Sequence, residues 1–97
     1  MKVYVVLGME IYGTDRSTDA GVFKVFKTRK EAISHAKEIF EENKVANAKL
    51  IQRYSNASYD AATLIEEFDD NGSYCISCGR DDDFFFFNVW VEVSELN

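Results

Sequence analysis

The chain has 97 residues, with 17 acidic and 11 basic side chains, one His, two Cys, no Pro and a net charge of −6. This length fits one domain over residues 1–97, and an apolar content of 46% excludes a disordered acidic tail. The acidity disfavours direct nucleic-acid binding, because such binding depends on Lys and Arg displacing counterions from phosphates. Without an apolar run of about 18 residues or a signal-peptide pattern, we expect a cytoplasmic protein with no membrane contact.

The first half of the chain predicts two strands and a helix. Residues 2–11 are β-branched and aromatic with two apolar faces, which predicts an interior strand. A polar loop over 12–21 and a second strand over 22–27 follow, as a hairpin with a long loop. Thr28 and Glu31 have capping-box spacing and predict the start of a helix. Its apolar positions recur every 3.6 residues at Ala32, Ile33, Ala36, Ile39 and Phe40.

The middle of the chain is less clearly patterned. Residues 45–56 fit a helical stripe, although their composition does not distinguish helix from strand. Ser58 predicts the cap of a further helix extending to Phe68, with an apolar face that includes Leu64. Residues 69–72 predict a turn.

Two strands complete the prediction, over 73–78 and 84–93, joined by a turn over 79–83. The expected fold is therefore α+β: a four-stranded antiparallel sheet in the order ββα(α)ββ, with helices packed on the sheet.

The last strand has two apolar faces. Period two assigns one face to the core: Phe85, Phe87, Val89, Val91 and Val93. The opposite face carries Phe84, Phe86, Asn88, Trp90 and Glu92. Because soluble proteins hide large apolar patches, we expect the second helical region to cover this face. The alternative is an exposed patch whose aromatic side chains anchor a partner.

Negative charge is concentrated toward the C-terminus. Residues 1–48 carry 8 basic and 7 acidic side chains, whereas residues 49–97 carry 3 basic and 10 acidic ones. Most of the excess lies in two clusters that we expect at one end of the molecule, Glu66, Glu67, Asp69 and Asp70 in the first and Asp81, Asp82 and Asp83 in the second. Such clusters indicate either solubility or an electrostatic match to a cationic partner.

Cys75 and Cys78 form a C-x-x-C pair followed by Gly79. This is the form of one zinc knuckle, whose remaining ligands would come from His35, a carboxylate or a second subunit. The other readings are two structural cysteines or a redox dithiol. In a regular strand, residues three apart point to opposite faces, which prevents chelation and a disulfide unless the strand breaks there.

No catalytic signature is present in the sequence. The two early glycines, Gly8 and Gly13, do not form a phosphate-binding loop, and a single His leaves little for acid–base chemistry. We therefore expect a protein that is not an enzyme.

Three segments carry a resemblance: KVYVV at the start, GVFKVFKTRKEAISHAKEIFEEN, and NVWVEVSEL near the end. Together they resemble small proteins of bacteriophages and their hosts, and the acidic profile is similar to that of anti-CRISPR inhibitors. The resemblance implies a protein that binds a CRISPR effector in the host cytosol and blocks DNA loading or recognition.

The leading hypothesis is thus a stoichiometric inhibitor that meets a basic protein surface. The aspartates and glutamates of the two acidic clusters would supply the electrostatic match, and Phe84, Phe86 and Trp90 the buried anchors. The alternatives are a zinc-stabilised binding domain of unknown partner, or an immunity or antitoxin protein that neutralises a nuclease.

Overall fold

The computed structural model describes residues 1–13, 17–56, 63–80 and 83–96. Its elements in chain order are β1 (Lys2–Gly13), β2 (Ser17–Phe26), α1 (Arg29–Ala46), α2 (Ala48–Asn56), β3 (Leu64–Phe68), β4 (Ser73–Arg80) and β5 (Asp83–Glu95).

The predicted α+β class is confirmed, but the predicted number and order of strands are wrong. The sheet is antiparallel with five strands in the order β2-β1-β5-β4-β3. The extra strand is β3, which occupies the end of the segment predicted as a helix from Ser58 to Phe68. A short apolar run fits both periods, and pairing with β4 satisfies its backbone groups. Residues 57–62 lie outside the described part of the chain.

The hairpin between β1 and β2 is tighter than the sequence predicted. Instead of a loop over 12–21, β1 continues to Gly13 and β2 begins at Ser17, with Tyr12 opposite Ser17. β2 is an edge strand, so the backbone of its polar segment pairs with β1 on one side only. The interior position predicted for the first strand is confirmed, because β1 lies between β2 and β5.

Helix α1 begins at the predicted capping box. The backbone N–H of Glu31 donates to Thr28 Oγ1 at 3.3 Å, and the Thr28 hydroxyl donates to Glu31 Oε1 at 2.7 Å. Three residues of its predicted apolar stripe, Ala32, Ala36 and Phe40, are fully buried. The helix predicted over 45–56 is confirmed as the end of α1 followed by α2.

The core lies between the helices and one face of the sheet. Its sheet side is formed by Val6, Tyr74, Ile76, Cys78, Phe85, Phe87 and Val89. Phe40 of α1 stacks on Tyr74 with ring centroids 5.1 Å apart, and Tyr54 of α2 joins the same cluster.

The predicted core of the last strand is correct at its centre and wrong at its end. Phe85, Phe87 and Val89 are buried and Val91 is partly buried, whereas Val93 is 55% exposed. An 18-residue helix is roughly 27 Å long and β5, with 13 residues, roughly 44 Å. The strand therefore extends past the helix that would cover it.

In the described ranges, neither helix combines the length and apolar character needed to cross a membrane.

Candidate binding surface

One face of the sheet is covered by both helices and the other is not. The strand register places side chains of all five strands on this second face, which we call the open face. Its residues include Val3, Val5, Leu7, Met9, Ile11, Ala20, Val22, Val25, Leu64, Glu66, Phe68, Cys75, Ser77, Phe84, Phe86, Asn88, Trp90 and Glu92. Of these, Val3 is buried, at 6% exposed.

The expected helical cover over Phe84, Phe86 and Trp90 is wrong. The second helix, α2, packs instead on the core face, where its Tyr54 joins the cluster that contains Tyr74 and Ile76. The alternative, an aromatic face free of a covering helix, agrees with the described elements. All three aromatic side chains are partly buried.

The aromatic residues of β5 do not stand alone on the open face. Across the ladder from β5, Leu7 pairs with Trp90, Met9 with Asn88 and Ile11 with Phe86. Val25, Leu64 and Phe68, which belong to the two edge strands, are each 50% exposed. The apolar surface therefore extends from edge to edge, well beyond the predicted site on β5. The two apolar faces of β1 were the signal in the sequence that could have found this extension.

The charge on the open face has one sign. Glu66 and Glu92 lie on it, and no Lys or Arg belongs to its described positions. Trp90 Nε1 donates to Glu92 Oε1 at 3.0 Å, which fixes the orientation of both side chains on this face. The surface is thus apolar and aromatic, with two carboxylates at separate positions.

The expectation that both acidic clusters share one end of the molecule is wrong. The turn that contains Asp69 and Asp70 precedes β4, whereas Asp83 follows it and pairs with Arg80 at the opposite end of that strand. A strand between two turns keeps them apart by its own length, here 8 residues or roughly 27 Å. Asp81 and Asp82 lie outside the described residues.

The first acidic cluster is partly neutralised by α1. Lys37 Nζ lies 3.0 Å from Asp69 Oδ1, and the Tyr74 hydroxyl donates to the same oxygen at 2.9 Å. Hydrogen bonds from Lys37 and Tyr74 lower the pKa of Asp69. Lys44 Nζ lies 3.8 Å from Glu67 Oε1 on the same side.

These contacts join the β3–β4 hairpin to α1. The Asp70 backbone carbonyl adds a further link by accepting from Arg29 at 3.2 Å. Asp69 and Glu67 therefore contribute to holding the helix against the hairpin, which leaves Glu66 as the carboxylate of this cluster that belongs to the open face.

The three predicted zinc ligands do not converge. β4 is unbroken through Cys75 and Cys78, so the first lies on the open face and the second is buried in the core. His35 lies on α1, 5.2 Å by ring centroids from Phe26 of the far edge strand. Among the described residues, no group of three or more His, Cys, Asp or Glu side chains is placed to hold a metal ion.

The pKa of both cysteine thiols is raised above its ordinary value. Burial raises the pKa of Cys75, with a further contribution from the negative charge of Glu66. Burial also raises the pKa of Cys78, offset in part by a hydrogen bond with the Phe85 backbone. Two free thiols on opposite faces, each with a raised pKa, fit the reading of structural cysteines.

No protein-family model, curated protein or solved structure matches this chain.

Proposed function

We propose that the protein is a stoichiometric, non-catalytic inhibitor that binds one partner protein through its open face. The partner surface would be an apolar patch bordered by Lys and Arg. The observation that carries this proposal is the composition of the open face, which is apolar and aromatic from edge to edge and has only carboxylates as its described charges.

The aromatic side chains supply the binding energy in this proposal. Phe84, Phe86 and Trp90 are the large aromatic residues that β5 contributes to the face, and buried aromatic anchors dominate the energetics of protein interfaces. They lie on a five-stranded sheet rather than on a loop, so little conformational entropy would be lost when they are buried by a partner.

The carboxylates favour a basic partner over a second copy of this chain. Two copies packed open face to open face would bury Glu66 and Glu92 of each copy without a cation from either described face. Burying unpaired charges is costly. A partner with Lys or Arg beside its apolar patch would pair them, and the net charge of −6 would also speed its approach.

A CRISPR effector is the most specific partner for this proposal, in line with the resemblance to anti-CRISPR inhibitors. A surface that binds DNA is rich in Lys and Arg because it neutralises phosphates. An inhibitor seated beside or across such a surface would prevent DNA from loading. A nuclease toxin has the same kind of surface, so an immunity protein is the alternative form of the proposal.

The test compares two charge-reversal variants. Glu66→Lys with Glu92→Lys changes the open face, whereas Glu38→Lys with Glu41→Lys makes the same change in charge on the exposed side of α1. Each protein is immobilised and exposed to host lysate, and bound proteins are quantified at two salt concentrations. We expect one partner in a 1:1 ratio with wild type and with the α1 variant, and loss of that partner from the open-face variant.

Sedimentation and a cleavage assay complete the test. A wild-type dimer that the open-face variant abolishes would show that a second copy covers this face, and equal capture by both variants would exclude the open face as the binding surface. If the captured partner is a nuclease, addition of one equivalent of the wild-type protein should abolish its DNA cleavage. Unimpaired cleavage would contradict the inhibitory role.

A further inference from the structure

A hollow of about 390 Å³ lies between α1 and the β1–β2 hairpin, on the covered face of the sheet. It exists because Gly8 and Gly21 are cross-strand partners, so that neither strand supplies a side chain at this point of the core face. Pockets for small organic ligands have volumes of about 300–1,000 Å³. The hollow therefore falls within the range of a binding site for a small molecule.

The two glycines have different surroundings. A β-bulge between Val6 and Leu7 places the ring of Phe23 directly against Gly8, where an added Cβ would collide with it. A Cβ added at Gly21 would meet nothing within 4 Å. Phe23 thus forms one wall of the hollow over Gly8, and the space beside Gly21 is empty of protein atoms.

The remaining wall is apolar at the base and acidic at the rim. Phe87 and Ile39 line the hollow together with the carboxyl-bearing residues Glu10 and Glu42. None of the described lining residues is Lys or Arg. The hollow therefore offers two aromatic rings and two carboxylates to a ligand, with no described cation to neutralise them.

Asn43 lies next to Glu10 in the wall of the hollow. Its Nδ2 donates to Glu10 Oε1 at 3.5 Å, a long hydrogen bond, while its Oδ1 is buried and has no hydrogen-bond partner among the described residues. Because this Oδ1 has almost no accessible surface, the part of Asn43 that contributes to the site is the amide nitrogen bound to Glu10.

We infer that this hollow binds a small organic amine, with its ammonium group at Glu10 and Glu42 and its apolar body against Phe23 and Phe87. An ammonium has three donors and a positive charge, which match the two carboxylates. The site is separate from the open face, so it is independent of the proposed inhibitory function.

The test uses phenethylamine and its neutral counterpart 2-phenylethanol, titrated into the ¹⁵N-labelled protein and followed by amide chemical shifts. We expect saturable shifts at Gly8, Gly21 and Asn43 with the amine, and binding of the alcohol that is weaker by about tenfold, because it cannot form the charge-assisted hydrogen bonds. Gly21→Val fills the empty space and should abolish saturable binding.

A matched pair of charge variants tests the contribution of the Glu10 carboxylate to amine binding. Glu10→Gln should raise the Kd for phenethylamine by about tenfold and leave 2-phenylethanol unaffected. Glu38→Gln, one turn before Glu42 on α1 and outside the hollow, should change neither. Equal affinity for amine and alcohol, unchanged binding to Gly21→Val, or no saturable shift in the wild-type protein would each overturn the inference. Glu10→Gln keeps the test decisive if Gly21→Val does not fold.

Discussion

The two faces of the sheet differ sharply although the same strands build both. On β5, Phe87 is 3% exposed beneath α1, whereas its neighbour Phe86 points to the open face and is only partly buried. The difference lies in what covers each face, since the aromatic content is similar on both. The helices cover one face. The other face has the apolar composition of a surface that binds an external partner. Stability should therefore depend on the first face and binding on the second.

The largest expected effect comes from adjacent phenylalanines of β5. Phe87→Ala leaves a cavity in the core and should lower the free energy of unfolding by about 3–5 kcal/mol. Phe86→Ala removes a side chain that is already partly in water and should cost about 1 kcal/mol. Urea denaturation monitored by circular dichroism measures both. Similar losses for the two variants would mean that the open face is covered within the free protein.

The cross-strand glycines test the hollow in the covered face. Gly8→Ala pushes the Phe23 ring away from the sheet and should destabilise the protein by about 1 kcal/mol. Gly21→Ala places a methyl group in open space and restricts the unfolded chain, so it should stabilise by about 0.5 kcal/mol. Thermal unfolding of the two variants gives the sign of each effect. If both variants shifted the melting temperature in the same direction, the two glycines would not differ in the space around them.

Tyr74 links the covered face to the β3–β4 turn through its hydrogen bond with Asp69. Because of this residue, we expect the free energy of unfolding to decrease at alkaline pH. Burial, aided by the hydrogen bond with Asp69, raises the pKa of Tyr74 above its ordinary value of 10.0. The folded state therefore holds this proton more tightly than the unfolded state. The resulting stabilisation is complete below pH 10 and declines as pH rises above it. The salt bridge to Asp69 raises the pKa of Lys37 as well, which acts in the same direction.

Tyr74→Phe is the variant that tests this linkage. It should cost about 1 kcal/mol at pH 8, for the lost hydrogen bond, and it should reduce the decline in stability between pH 9 and pH 11. Urea midpoints across that range provide the measurement. A decline as steep as that of the wild type would assign the alkaline effect to other groups.

The smallest expected effect is a difference in reaction rate between the two thiols, one on each face. Cys75 on the open face should react with an aromatic disulfide reagent before buried Cys78, and both should react more slowly than free cysteine because their pKa values are raised. Cys75→Ser and Cys78→Ser identify the two phases. Because the thiols point apart, a chelator should leave the melting temperature of the protein unchanged. A lower melting temperature in the presence of the chelator would support the zinc-stabilised alternative.

Elements with a strong local signal could be predicted from the sequence. The capping box at Thr28 and the stripe through Ala32, Ala36 and Phe40 specify α1 through contacts within one helix. The alternation of Phe85, Phe87 and Val89 specifies a strand with a core face in the same way. Period two also indicated that Cys75 and Cys78 would point apart in an unbroken strand.

The errors lie where the outcome depends on pairing with another segment of the chain. Leu64–Phe68 fits a helix as well as a strand, and pairing with β4 decides between them. Similarly, the position of the two acidic clusters depends on β4, which separates the turn at Asp69 from the strand start at Asp83. Local pattern carries no information on which segments pair.

The sequence by itself determined the α+β class, the placement of α1 and the terminal strands, and the aromatic side chains of the open face, because each follows from the period of a single segment. Only the tertiary structure decided which face the helices cover. Both faces of β5 are apolar enough to be a core, and burial goes to the side on which α1 and α2 pack. Because the helices pack on that side, the other face, which carries Phe86 and Trp90, is the proposed binding surface.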